Sequence, residues 1–124
     1  MKKLEEKILN EGRILPGEIL KVDNFINHMI DTELFEEMGR EFYDTFRDLG
    51  VTKILTLEVS GIALAYAAAV HFRVPVLFAK KIQSLTLGND VYTSHVYSYT
   101  KQKKNDIVVD RKYLLPEDRV LIID

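Results

Sequence analysis

Between Lys53 and Ala79 the apolar period changes twice, and this constrains the fold more than any other feature of the chain. Lys53-Ile-Leu-Thr-Leu-Glu58 is a short β-branched and leucine run, the pattern of a buried strand. Val59-Ser60-Gly61 turns it into an alanine-rich helix over residues 62–72, which Val74-Pro75 stops because a residue before proline is driven out of the helical region. Val76-Leu-Phe-Ala79 is a second apolar run. Strand, helix and strand on tight connections predict a βαβ unit, hence a parallel sheet with a right-handed crossover. Near the end of the chain, Val120-Leu-Ile-Ile123 reads as a third buried parallel strand with Asp124 at its carboxyl end. It is expected beside residues 53–58, with the sheet's reversal point between the two carboxyl ends.

The rest of the chain is read around that core. Leu4, Ile8 and Leu9 have helical spacing, closed by Gly12. Residues 13–30 are rich in apolar side chains that keep no period, with Pro16-Gly17 as a turn; a stretch this apolar must pack on something, and it reads as a small N-terminal hood. From Asp31, an expected N-cap, Leu34, Phe35, Met38, Phe42, Phe46 and Leu49 share one helical face, and Gly50 suits the position just past the helix end. Beyond Lys81 comes a polar loop (Ser84, Thr86, Gly88, Asn89, Asp90). Two antiparallel strands then follow, at 91–100 and 106–109, rich in residues that favour strands. This arm, 81–100, has little apolar surface to anchor it and is expected to be the most mobile part of the chain. The fold class is α/β, three-layered, with a parallel sheet, an antiparallel arm and the hood.

Composition narrows the function classes. At 124 residues the chain suits one domain; 47% hydrophobic and 29% charged content is that of a globular protein rather than a disordered one. A net charge of −2 gives no overall electrostatic case for nucleic acid or an anionic membrane. Without cysteine there is no disulfide, thiolate metal site or thiol nucleophile. Residues 1–9 are too charged for a secretory signal, and no apolar run approaches the roughly 20 residues that span a bilayer. A soluble, cytoplasmic protein is expected.

Three places invite chemistry. The turn Glu58-Val59-Ser60-Gly61 lies where ligands of open α/β sheets bind, at a helix start whose free N–H groups favour phosphate or another anion; Ser60 would equally serve an ordinary turn as N-cap. Asp124 could face a ribose diol or a metal-bound pyrophosphate, or be no more than a strand-end acid. Lys80, Lys81, Lys101, Lys103 and Lys104 face only Asp90 between them; they could hold pyrophosphate if the arm folds back, or form a solvated face. His28, His71 and His95 lack metal-ligand spacing, and His71 is expected to be structural. Tyr92, Tyr97 and Tyr99 are expected to pack, and no Gly-x-Ser-x-Gly elbow marks a serine hydrolase.

Taken together, these stretches resemble the bacterial xanthine phosphoribosyltransferases over essentially the whole chain. Ile19-Leu-Lys-Val-Asp-Asn-Phe-Ile-Asn-His28 is very similar to that family's purine hood. Lys81-Ile-Gln-Ser-Leu-Thr-Leu87 and Tyr97-Ser-Tyr-Thr-Lys101 match its loop and arm. Glu58-Val-Ser-Gly61 looks like its pyrophosphate loop, where a second serine is more usual than Val59 and a non-proline cis bond is frequent. The resemblance implies a type I phosphoribosyltransferase fold, incomplete here, with a hood at 13–30, a βαβ core at 53–81, an arm at 82–111 and the start of the sugar-phosphate motif at 119–124. It implies transfer of a phosphoribosyl group from phosphoribosyl pyrophosphate to xanthine, with Mg2+ bound to the pyrophosphate, in a homodimer whose arm reaches the partner subunit. By the same resemblance Leu20 packs on the purine and Asn27 hydrogen-bonds its edge. Val59, Ser60, Gly61 and Lys81 hold the pyrophosphate, and Asp124 is the first of two acids in the catalytic motif. The family's second acid, phosphate loop and last strands lie beyond Asp124, so these 124 residues alone are expected to be inactive. Two rival expectations are a non-catalytic purine or nucleotide regulator on the same fold and a non-functional fragment.

Overall fold

The computed structural model describes residues 1–82, 90–98 and 103–124. Helix α1 (Lys2–Glu11) leads into a two-stranded hairpin, β1 (Arg13–Leu15) and β2 (Ile19–Lys21), and a π-helical turn, Asp23–Asn27. Helix α2 (Thr32–Phe46) follows, then β3 (Lys53–Leu57), α3 (Gly61–Phe72), β4 (Val76–Ile82), β5 (Val91–Ser98), β6 (Lys103–Asp110) and β7 (Val120–Ile122). The main sheet runs β5-β6-β4-β3-β7, with β3 parallel to both β4 and β7, and β6 antiparallel to β4 and β5.

The βαβ expectation holds in register: Ile54 pairs with Val76, and Leu57 with Ala79. The order also places the reversal point where it was anticipated, because the chain leaves β3 toward β4 and later returns to the other side of β3 as β7. The hood is more regular than its sequence. Pro16-Gly17 closes a hairpin in which Arg13, Ile14 and Leu15 face Lys21, Leu20 and Ile19, and Gly17 takes a φ of +86° that an L residue avoids. Three-residue strands are too short to display a period, so their regularity came from pairing and turn chemistry. Strand β4 likewise runs three residues past its apolar stretch, because Lys80, Lys81 and Ile82 pair with Val108, Ile107 and Asp106. Of the arm 81–100, expected to be the most mobile part, residues 83–89 and 99–100 lie outside the described residues, while 81–82 end β4 and 91–98 form β5.

The expected caps form. Asp31 accepts the Leu34 N–H at 3.0 Å and the Lys7 ammonium at 2.6 Å; together, the Lys7 bond foremost, they hold its carboxyl below the usual range. A 3-10 turn, Arg47–Leu49, extends α2 to Gly50, which adopts the left-handed conformation.

Two clusters share α3. Ile54, Ala65, Ala68, Ala69 and Ile123 join the sheet to the helix, with Phe42 of α2 against them. Phe25, Leu34, Phe35 and Met38 join the hood, α1 and α2 to Ala63, Leu64 and Ala67 of α3. The layers are therefore sheet, helix pair, then hood with α1. The helix pair closes tightly at Gly39, where a Cβ would lie 2.5 Å from the Ala67 carbonyl oxygen. His71 is structural, as expected: its Nε2 meets Glu36 of α2 at 3.1 Å.

Strand β7 is held at its entry by Asp118. This carboxylate accepts from the Leu115 N–H at 2.8 Å, Lys53 Nζ at 2.9 Å and Thr52 Oγ1 at 2.8 Å, and these donors, led by Leu115, hold its pKa at about 2. Lys53 opens β3, so the clamp sets β7 beside it and carries Asp124 to the carboxyl edge. As an edge strand β7 is partly bare, with Ile122 69% exposed.

Candidate active site at the carboxyl edge of the sheet

Thr56, Gly61 and Asp124 converge where β3 and β7 end. The aliphatic run 120–123 extends in line with β3, its Ile123 N–H bonding the Leu55 carbonyl, and this delivers Asp124 beside the start of α3. Thr56 Oγ1 donates to Asp124 Oδ1 at 3.3 Å. Both oxygens flank the Gly61 Cα so closely that a Cβ there would sit 2.3 Å from each. From sequence, Gly61 is a residue that lets a ligand approach; in the structure its missing side chain admits the Asp124 carboxylate and the Thr56 hydroxyl.

The turn ahead of α3 has the character the sequence implies. The peptide from Glu58 to Val59 is cis. Ser60 occupies the N-cap position without a side-chain cap bond. The N–H groups of Val59, Ser60 and Gly61 have no acceptor among the described residues, whereas the next, Ile62, bonds the Val59 carbonyl at 3.2 Å. Three free amides at the head of a twelve-residue helix form an anion-favouring end. Asp124 supplies negative charge at that same end. A bare anion entering the turn would meet a carboxylate, whereas an anion carrying a divalent cation would not.

Glu58 anchors the turn to the neighbouring strand. Its N–H bonds the Ala79 carbonyl at 3.1 Å, and its Oε1 accepts the Lys81 N–H at 2.5 Å. Lys81 is thereby fixed beside the turn by its backbone, with its side chain exposed. Among the described residues, the wider lysine concentration does not gather at the turn. Adjacent residues of a strand point to opposite faces, so Lys80 and Lys81 cannot both face the turn. Lys104 lies on β6 beyond the partner of Ile82, while Lys101 and the Lys103 side chain lie outside the described residues.

The hood residues Leu20 and Asn27 are exposed, and no described hydrogen bond joins either to the turn. The tie is indirect: Phe25 and Ile26, immediately before Asn27, belong to the same apolar cluster as Ala63 and Ala67 of α3. Val59, 76% exposed, heads an apolar stripe with Ile62, Tyr66 and Val70 along a groove of about 750 Å3 between α2 and α3. Thr56 escaped notice in the sequence, where it is the one hydroxyl in an aliphatic strand; Glu58 was placed in the turn, but its anchoring of Lys81 was not foreseen. Among the described residues no three acids or histidines cluster as a metal site, so a cation here would need oxygens from a bound ligand.

No protein-family model matches the chain. Similarity to individual proteins nonetheless runs along all 124 residues. The chain is 54% identical to the xanthine phosphoribosyltransferase of Finegoldia magna, 55% to that of Levilactobacillus brevis and 54% to that of Listeria innocua, in each case spanning 65% of the relative's length. Among solved structures, the adenine phosphoribosyltransferase of Trypanosoma brucei superposes with a TM-score of 0.71 at 19% identity, over 96% of this chain and 53% of that one. The Giardia lamblia enzyme superposes with a TM-score of 0.68 at 18% identity, over 94% and 65%. At such identities the likeness is one of fold: the chain has the α/β architecture of the type I phosphoribosyltransferases.

Proposed function

We propose that this chain provides the base-recognition and pyrophosphate-holding parts of a xanthine phosphoribosyltransferase, working in purine salvage in the cytoplasm. The observation that carries the reading is the meeting of three free amides with Asp124 at the reversal point of a parallel sheet. The similarity along all 124 residues to xanthine phosphoribosyltransferases, of which the chain spans 65%, supplies the chemistry that such a site would serve.

In that reaction a purine nitrogen attacks C1 of the ribose while the C1–O bond to pyrophosphate breaks, giving xanthosine monophosphate and pyrophosphate. Charge grows on the leaving oxygens, and fixed N–H donors stabilise it without having to reorganise. Val59, Ser60 and Gly61 supply those donors, and Lys81 adds a positive charge held beside them. Asp124 faces the ribose diol or the metal-bound pyrophosphate. A magnesium ion suits the donor set, because it is commonly held by one or two carboxylates together with substrate phosphates; Asp124 would hold it, and bound there it would neutralise the leaving group. Leu20 packs on the purine face, and Asn27, able both to donate and to accept, reads the 2-oxo group. The hood (13–30) thus acts on the base and the βαβ core (53–81) on the pyrophosphate, while the arm (82–111) reaches the partner subunit and 119–124 begins the sugar-phosphate motif. A second copy of the chain completes the assembly as a homodimer; the apolar stripe headed by Val59 supports an association of that kind.

Calorimetric titration with xanthine and with magnesium pyrophosphate, run beside a single-turnover assay, tests the reading. Asn27→Ala is expected to cost xanthine binding roughly 1–3 kcal/mol, the range for an unpaired buried polar group, and to spare hypoxanthine. Equal losses for both bases would remove Asn27 from base recognition, and a chain that binds neither xanthine nor magnesium pyrophosphate would sink the proposal.

A further inference from the structure

We infer that Thr56 is a positioning residue for the pyrophosphate site, holding the Asp124 carboxylate in the one orientation that lets it share a cation with an anion bound at the turn. The inference rests on the reading of the 58–61 turn as a pyrophosphate cradle and goes beyond it, since neither the turn nor the strand-end acid requires a hydroxyl at this place in β3.

Thr56 is 3% exposed and is the only buried polar residue among the described residues. A hydroxyl buried in an otherwise aliphatic strand costs free energy unless it is hydrogen-bonded. Its hydrogen-bond partner is Asp124 Oδ1, at 3.3 Å and 68 residues away. Asp124 itself is exposed and ends the aliphatic run, so nothing in the strand restricts its side-chain rotation. Two features do restrict it. Gly61 removes the Cβ that would push the carboxylate out from the head of α3, and Thr56 donates to the oxygen that enters the space. Threonine is stiff about its first side-chain torsion, so its hydroxyl is a fixed point rather than a mobile one. With Oδ1 tethered on the Thr56 side, Oδ2 remains to face a cation, next to the free amides of Val59, Ser60 and Gly61. Without the tether the carboxylate would turn freely and meet the entering anion with its full charge in arbitrary orientations.

The test is calorimetric binding of pyrophosphate to this chain with and without magnesium, comparing the parent with Thr56→Val, Thr56→Ser and Asp124→Asn. Circular dichroism confirms that each variant is folded. Valine keeps the shape and removes the hydroxyl; serine restores it. Thr56→Val is expected to weaken magnesium-dependent pyrophosphate binding about tenfold, the scale of one hydrogen bond to a charged group. Its binding without magnesium should change less than twofold, and Thr56→Ser should recover most of the loss. Asp124→Asn should abolish the magnesium dependence. If Asp124→Asn acts as stated while Thr56→Val binds like the parent, Thr56 does not position Asp124 and the inference is overturned, the cradle standing. If Asp124→Asn leaves the magnesium dependence unchanged, or the parent does not bind pyrophosphate, the cradle reading fails and this inference with it. A folded Thr56→Ser as impaired as Thr56→Val would also overturn it, because packing rather than the hydroxyl would then be responsible.

Discussion

Gly61→Ala sets two effects of opposite sign against each other. Alanine is favoured over glycine in a helix interior by about 1 kcal/mol, and Gly61 is the first residue of α3 with no positive φ to forbid a side chain. Propensity alone therefore predicts a gain of up to that size. Packing predicts the reverse. The new Cβ would stand 2.3 Å from both Thr56 Oγ1 and Asp124 Oδ1, against a normal carbon–oxygen approach of roughly 3.3 Å, so each oxygen must withdraw by about 1 Å. Asp124 is exposed and can swing out. Thr56 is buried and stiff, and can withdraw only by turning its hydroxyl away from Asp124 or by moving β3. Overpacking of this kind costs about 1–3 kcal/mol, so destabilisation wins, with a net loss of about 1–2 kcal/mol. For a chain of this size that lowers the melting temperature by roughly 4–10 °C. Denaturant titration of the 124-residue chain measures the loss, and calorimetry with magnesium pyrophosphate measures the accompanying displacement of Asp124. The double variant Gly61→Ala/Thr56→Ala should recover part of the stability, since it removes the contact that cannot yield. A Gly61→Ala chain as stable as its parent, with undiminished pyrophosphate affinity, would refute the reasoning.

Three further outcomes are expected. Gly39→Ala should destabilise more than Gly61→Ala, because its Cβ would meet the Ala67 and Ala68 backbone, which cannot move without parting α2 from α3; an unchanged denaturation midpoint would contradict this. Phe25→Ala should cost about 3–5 kcal/mol and loosen the hood from α3, seen as faster amide exchange over the 13–30 hairpin and turn. Acid should release β7. The Asp118 carboxyl is held at about 2 against an ordinary 3.8, so its contribution is fully present above pH 4 and is lost as pH falls toward 2; Asp118→Asn should flatten that part of the stability profile.

What the sequence determined by itself is whatever depends on near neighbours. The β-branched and leucine run at 53–58, the alanine-rich helix that follows and the stop at Val74-Pro75 define the βαβ unit, because apolar patterning and backbone sterics act within a few residues. The caps at Asp31 and Gly50 were legible for the same reason, as was the placing of a candidate site at the turn after β3, since parallel sheets bind ligands at their carboxyl edge. Tertiary structure decided which residues meet there. Thr56, Gly61 and Asp124 come together because the clamp around Asp118 lays β7 beside β3 in a register pairing Lys53 with Val120, and no local pattern encodes a register between segments so far apart. The separation of Lys80 from Lys81 and the anchoring of the turn by Glu58 also follow from strand pairing, which the apolar pattern does not contain. Gly61 shows the difference most directly. Composition and position identify a helix start that needs a small residue, but what that smallness admits, a carboxylate from the far end of the chain, is set by the packing of two strands against one helix.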